Sequence, residues 1–148
     1  MPPSALAIVG SVLGGLALFA GLWLLITGAL ASFSGWTALA AAFPGRLRPN
    51  GEVVRRQVVG LGSINENGVT NVIMAPEGLY LFPMVLFSYR RAPVLVPWAK
   101  LRYVESHQIL WSRWHEVDLG GITILKVRDQ LLSALREHNV RIPADALA

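Results

Sequence analysis

The sequence predicts an α+β chain: one N-terminal transmembrane helix, then a seven-stranded antiparallel β barrel or sandwich closed by a C-terminal helix. Three observations predict it. Ala5–Phe33 contains no Asp, Glu, Lys or Arg. From Glu52 onward the apolar pattern has a period of two, cut repeatedly by turn residues. Around Asp129 the period returns to that of a helix.

Fourteen of the 29 residues of the first stretch are Val, Ile, Leu or Phe, worth about −4 to −8 kcal/mol toward insertion before Gly, Ser and Thr take some back. As a helix it would run about 43 Å against a hydrocarbon core of about 30 Å. Met1-Pro2-Pro3-Ser4 carries no basic side chain, and the apolar run exceeds a signal peptide's core. Ala29-Leu30-Ala31 is a weak cleavage tripeptide, so an uncleaved anchor over residues 1–33 is expected. All 13 basic and 9 acidic residues lie from Arg46 onward. With Arg46, Arg48, Arg55 and Arg56 following the span and no base before it, the N-terminus is expected outside and the head in the cytoplasm.

Gly10, Gly14, Ala17, Gly21 and Gly28 recur at spacings of 4, 3, 4 and 7, a stripe of small residues that lets helices approach closely in lipid. Another membrane protein, or a second copy, is the expected partner for it. Trp23, near mid-span, points to the same partner. Residues 34–45 follow, with Trp36, Leu39, Ala40 and Phe43 at helical spacing and Pro44-Gly45 as a stop. The expectation is a short interfacial helix with Trp36 at headgroup level. Ser34-Gly35 favours a break over a continuous helix.

The head spans 46–148, and about 100 residues suffice for one small domain. Its predicted strands are Glu52–Leu61, Val69–Ala75, Leu79–Phe87, Pro93–Trp98, Arg102–Leu110, Arg113–Leu119 and Ile122–Val127. Pro83 implies an edge or a bulge in the third. An amphipathic helix covers about 129–139, with Leu131, Leu132 and Leu135 as its apolar stripe.

Seven strands and a helix are the plan of a pleckstrin-homology-like barrel. Gly78-Leu79-Tyr80-Leu81, Tyr89-Arg90-Arg91-Ala92-Pro93 and Val94-Leu95-Val96-Pro97-Trp98-Ala99-Lys100-Leu101 resemble the "GLYL" strand and "IPW-x-x-I" strand exit of bacterial pleckstrin-homology-like domains. With Ser34-Gly35-Trp36 and the membrane helix, the chain is similar to a group of bacterial membrane-anchored proteins. The resemblance extends over residues 34–139, but its specific motif is only about twenty residues long. It implies a fold and the bacterial inner membrane, and no activity, because a shared fold does not transfer a function.

Candidate chemistry lies in the fifth and sixth strands. A turn at Trp111-Ser112 would oppose His107 to Glu116 and Glu105 to Asp118. It would put Val104, Leu110, Val117 and Leu119 on the other face. One His and three carboxylates could hold a divalent metal, but a solvated strand face with a cross-strand pair explains them as well. His115 and His138 have no partner fixed by the sequence, and Ser106, Ser112 and Ser133 lie in no nucleophile motif. Gly60-x-Gly62 lacks the third glycine and the helix of a phosphate loop. There is no cysteine, which excludes disulfides and thiolate sites. A net charge of +4 with acids and bases interspersed argues against nucleic acid.

Binding surfaces are better supported. The hairpin tip Leu110-Trp111-Ser112-Arg113-Trp114 carries two indoles and a guanidinium where polar residues are usual. Leu79–Phe87 is apolar on both faces, so Phe82 and Met84, beside Tyr80 and Leu86, need a cover. Arg90-Arg91 is a paired basic loop able to touch anionic headgroups. Trp36, Phe82, Met84, Trp111, Arg113 and Trp114 are therefore the expected contact residues. The sequence reads as a non-catalytic scaffold or accessory subunit of a membrane complex, without cofactor or metal. A lipid-surface sensor is the alternative, and a metal-dependent hydrolase a further one.

Overall fold

The computed structural model describes residues 2–147. Helix α1, Pro3–Phe33, is continuous over 31 residues, about 46 Å at the usual rise. Its Ser4–Phe33 stretch is long and apolar enough to cross a membrane, and none of the residues in its apolar window is buried. Pro2 at its N-terminus makes no side-chain capping bond, and at the other end the Ser34 N–H donates to the Leu30 carbonyl.

The expected break is present. Gly35 has φ +82, which a left-handed turn requires. A Cβ there would also come within 2.9 Å of Thr123. Thr123 Oγ1 donates to the Ser34 carbonyl at 2.8 Å, pinning the corner to the sheet. Helix α2, Trp36–Ala42, then folds back onto the head.

Nine strands follow rather than seven: β1 Val53–Val54, β2 Val58–Leu61, β3 Ile64–Asn65, β4 Thr70–Met74, β5 Gly78–Pro83, β6 Val94–Pro97, β7 Leu101–Ile109, β8 Ser112–Leu119 and β9 Thr123–Val127. They form two antiparallel sheets, ordered β1-β4-β5-β6 and β3-β2-β9-β8-β7. The first predicted strand is cut in two because Arg56 takes φ +59, which sends β1 and β2 into different sheets. The third stops at Pro83, which has no N–H to extend the ladder. Val85–Phe87 becomes a 3₁₀ turn. Helix α3, Asp129–Glu137, closes the head with Leu131, Leu132 and Leu135 buried.

The core lies between the sheets. Val72, Leu79, Leu81, Val94 and Val96 of one meet Val58, Leu61, Val117, Leu119, Leu125 and Val127 of the other, plugged by α3 and by Trp36 and Leu39 of α2. Ala31 of α1 belongs to the same cluster. The short helix is thus part of the core, and Trp36 is buried within it.

The β7–β8 register also differs from the expected one. Leu110 (φ +55) and Trp111 make the turn, so Ile109 pairs with Ser112, His107 with Trp114 and Glu105 with Glu116. A shift of two residues keeps Glu105, His107 and Glu116 on one face. An irregularity between Tyr103 and Glu105 then turns Val104 outward, and Leu110 is exposed at the tip.

Tyr80 is buried in β5, and desolvation raises its phenol above the ordinary 10.0, with Arg48 acting in the opposite sense. The unfolded chain therefore loses this proton first. Folding stability should be intact below pH 10 and fall as pH rises from there through the folded-state value. Tyr80→Phe should flatten that alkaline decline in denaturant titrations run from pH 8 to 11.

Candidate functional site

The head meets α1 along its C-terminal third. Trp23 Nε1 donates to the Leu86 carbonyl at 2.9 Å, and its ring lies 5.2 Å from that of Phe87 and 6.3 Å from that of Phe19. The mid-span indole therefore has its partner within its own chain. One turn further on, a Cβ at Gly28 would lie 3.4 Å from both Tyr89 and Arg90. Between helix and loop runs an open groove of about 450 Å³, lined by Gly21, Gly28, Ala29, Ser32, Tyr89 and Arg90 among others. Gly10, Gly14 and Gly21 have no described atom near the space a Cβ would take, and Ala17 is exposed. Among the described residues, four members of the stripe are thus open, while Gly28 is in contact range of the head.

The paired arginines are separated by the fold. Arg90, at φ +57, is exposed beside α1. Arg91 is only 4% exposed. Its Nη2 donates to Glu66 Oε1 at 2.6 Å and Oε2 at 2.8 Å. Thr70 Oγ1 donates to the same carboxylate at 2.9 Å. The guanidinium lies 4.3 Å over the Trp36 ring, whose Nε1 donates to the Ala92 carbonyl at 2.8 Å. Arg91 is a structural cation and cannot reach a headgroup. Its partner Glu66 sits in a stretch that the sequence marks only as a turn, and no local signal announces its burial.

The other expected contact residues divide in the same way. Phe82 is half-buried under the Arg48 guanidinium, 4.7 Å from its ring centre. Met84 is exposed, together with Val85 (88%) and Leu86 (70%). At the β7–β8 tip Trp111 is 90% exposed. Trp114 instead stacks on His107 at 5.5 Å. Arg113 donates to the Ala146 carbonyl and lies 3.6 Å from the Asp129 carboxylate.

Two polar clusters occupy the β7–β8 hairpin. The first was not legible in the sequence: Tyr103 OH, Ser106 Oγ and His115 Nδ1 are linked by contacts of 2.6 Å each. His115 Nε2 meets Asp129 Oδ1 at 2.5 Å. One proton arrangement satisfies the histidine, with Nε2–H donating to the carboxylate and Nδ1 accepting from Ser106. Its fully buried ring ties the hairpin to the start of α3. The residue types are those of a Ser–His–Asp relay. Here Ser106 Oγ is engaged by Tyr103 as well as by the histidine.

The second cluster is Glu105, His107 and Glu116, whose ligand atoms lie within 4.8 Å of one another. His107 Nε2 is 3.2 Å from Glu105 and 3.3 Å from Glu116. Neither contact is a hydrogen bond, and among the described residues His107 Nε2 has no hydrogen-bond partner. Asp118 stands apart, facing Arg102 at 3.7 Å and accepting from the Gly121 N–H at 3.1 Å.

No protein-family model matches the chain, and neither a curated protein nor a solved structure shows significant similarity to it.

Proposed function

We propose that this chain is a membrane-anchored, non-catalytic interaction module: a scaffold or accessory subunit that docks on a larger membrane assembly through the bare face of α1. The observation that carries this reading is the division of labour along that helix. Its last third is fastened into the head, while Gly10, Gly14, Ala17 and Gly21 are exposed and, among the described residues, nothing fills the space beside the three glycines. Small residues on one side of a spanning helix permit close backbone approach, the main source of association where lipid removes the hydrophobic drive. In this reading α1 crosses the bacterial inner membrane with its N-terminus outside, and the two sheets with α3 form a pleckstrin-homology-like head in the cytoplasm.

Affinity purification of the full chain in a mild detergent tests it. Recovery with a second membrane protein, or a second copy, in a stable ratio is expected. Gly14→Ile combined with Ala17→Ile should abolish that recovery without altering the thermal unfolding of the head. Isolation of a lone monomer under conditions that keep other membrane complexes intact would count decisively against the proposal.

A further inference from the structure

We propose that the Met84–Arg90 segment is a membrane-seated loop, with Met84, Val85 and Leu86 among lipid acyl chains and Arg90 on the phosphate of an anionic phospholipid. This rests on the reading that α1 spans a bilayer.

The first argument is depth. The loop touches α1 at Trp23, and the helix from Ala5 to Leu22 measures about 27 Å, close to a hydrocarbon thickness of about 30 Å. The surplus helix length is the part clasped by the head, where Thr27 and Ala31 are buried. Docking the head at Trp23 therefore places Leu86 and its neighbours at the hydrocarbon edge.

The second argument is chemistry. Three consecutive apolar side chains stand exposed on this loop, a patch that water disfavours and lipid does not. Their carbonyls already have donors. Met84 O accepts from Phe87 N at 2.9 Å, Val85 O from Ser88 N at 3.2 Å and Ser88 Oγ at 2.7 Å, and Leu86 O from Trp23 Nε1. Carbonyls that enter the edge of a bilayer need such internal partners, because hydrocarbon supplies none.

The third argument is charge and its position. Tyr89 and Arg90 face Gly28, five residues past Trp23, which is about 7.5 Å along the axis toward the aqueous side. That is the level of the headgroups, where tyrosine rings and basic side chains gather. Arg90 makes no ion pair among the described residues. The groove between it and Gly21 leaves room for the glycerol region of one lipid.

Because the chain has no cysteine, a single reporter can be placed without ambiguity. Val85→Cys, Leu86→Cys and Glu77→Cys, the last in the turn that precedes β5, would be labelled with an environment-sensitive fluorophore. Each full-length chain would then be reconstituted into phosphatidylcholine vesicles holding a minor fraction of acyl-brominated phosphatidylcholine or phosphatidylglycerol. Probes at 85 and 86 should be blue-shifted and quenched by bromine, and the probe at 77 should not. Quenching by the anionic lipid should reflect about fivefold local enrichment, which one basic side chain near an anionic surface provides. Arg90→Gln should remove that preference while the blue shift persists. A chain that floats with vesicles but reports water at both loop positions would overturn the proposal and leave the anchor intact. Equal quenching by both lipids with Arg90 present would overturn the assignment of the phosphate to Arg90. A chain that does not float would overturn both this proposal and the spanning reading.

Discussion

Arg91→Ala is expected to destabilise the head by about 3–5 kcal/mol, because it strands the Glu66 carboxylate in a site from which water is excluded. Both side chains are almost wholly buried, at 3% and 4% exposure. The carboxylate receives two contacts from Arg91 and one from Thr70, and the truncated variant would keep only the last. Among the described residues Arg91 Nε has no hydrogen-bond partner, so desolvation of the pair is not fully offset by the contacts it makes. Replacing both partners by apolar residues of similar size, Arg91→Met with Glu66→Leu, should therefore recover most of the loss and can exceed the parent in stability. Denaturant titration of the detergent-solubilised chain, followed by tryptophan emission, reads this directly. A cost under about 1 kcal/mol for Arg91→Ala would show that the pair behaves as a solvated surface bridge.

Trp36→Ala should be comparably severe, at about 3–5 kcal/mol, the usual cost of deleting a large aromatic ring from a packed core. The indole is fully buried, fills the space between α2 and the sheets, donates to Ala92 and supports the Arg91 guanidinium on its face. Trp36→Phe keeps a ring beneath the cation and loses the N–H donor and part of the volume, so it should cost roughly half as much. Since Trp36, Arg91 and Glu66 share contacts, the Trp36→Ala, Arg91→Ala double variant should fall short of the summed losses. Thermal unfolding followed by near-ultraviolet circular dichroism checks all three. Strict additivity would mean that ring and guanidinium do not act as a unit.

The parts of the fold that repeat a local pattern were readable from residues alone. The apolar run gave α1, Ser34-Gly35 gave the corner, and Leu131, Leu132 and Leu135 gave the buried side of α3. What escaped depends on single backbone torsions or on contacts far apart in the chain. Nothing in the letters around Arg56 or Leu110 says that a non-glycine will take a positive φ, yet one splits a strand and the other moves a hairpin register. Arg90 and Arg91 are neighbours with identical side chains. Only Glu66, twenty-five residues away from Arg91, decides which of them is interior. Likewise Tyr103, Ser106, His115 and Asp129 are unremarkable letters until β7, β8 and α3 bring them together.

Seating α2 inside the core means that no hinge divides anchor from head. A protease cutting between Phe43 and Arg46 would release a remnant lacking its plug at Trp36 and Leu39, not a self-sufficient domain. Any fragment of the head intended for study therefore has to retain the chain from Ser34 onward, so that Trp36 and Leu39 stay in the core.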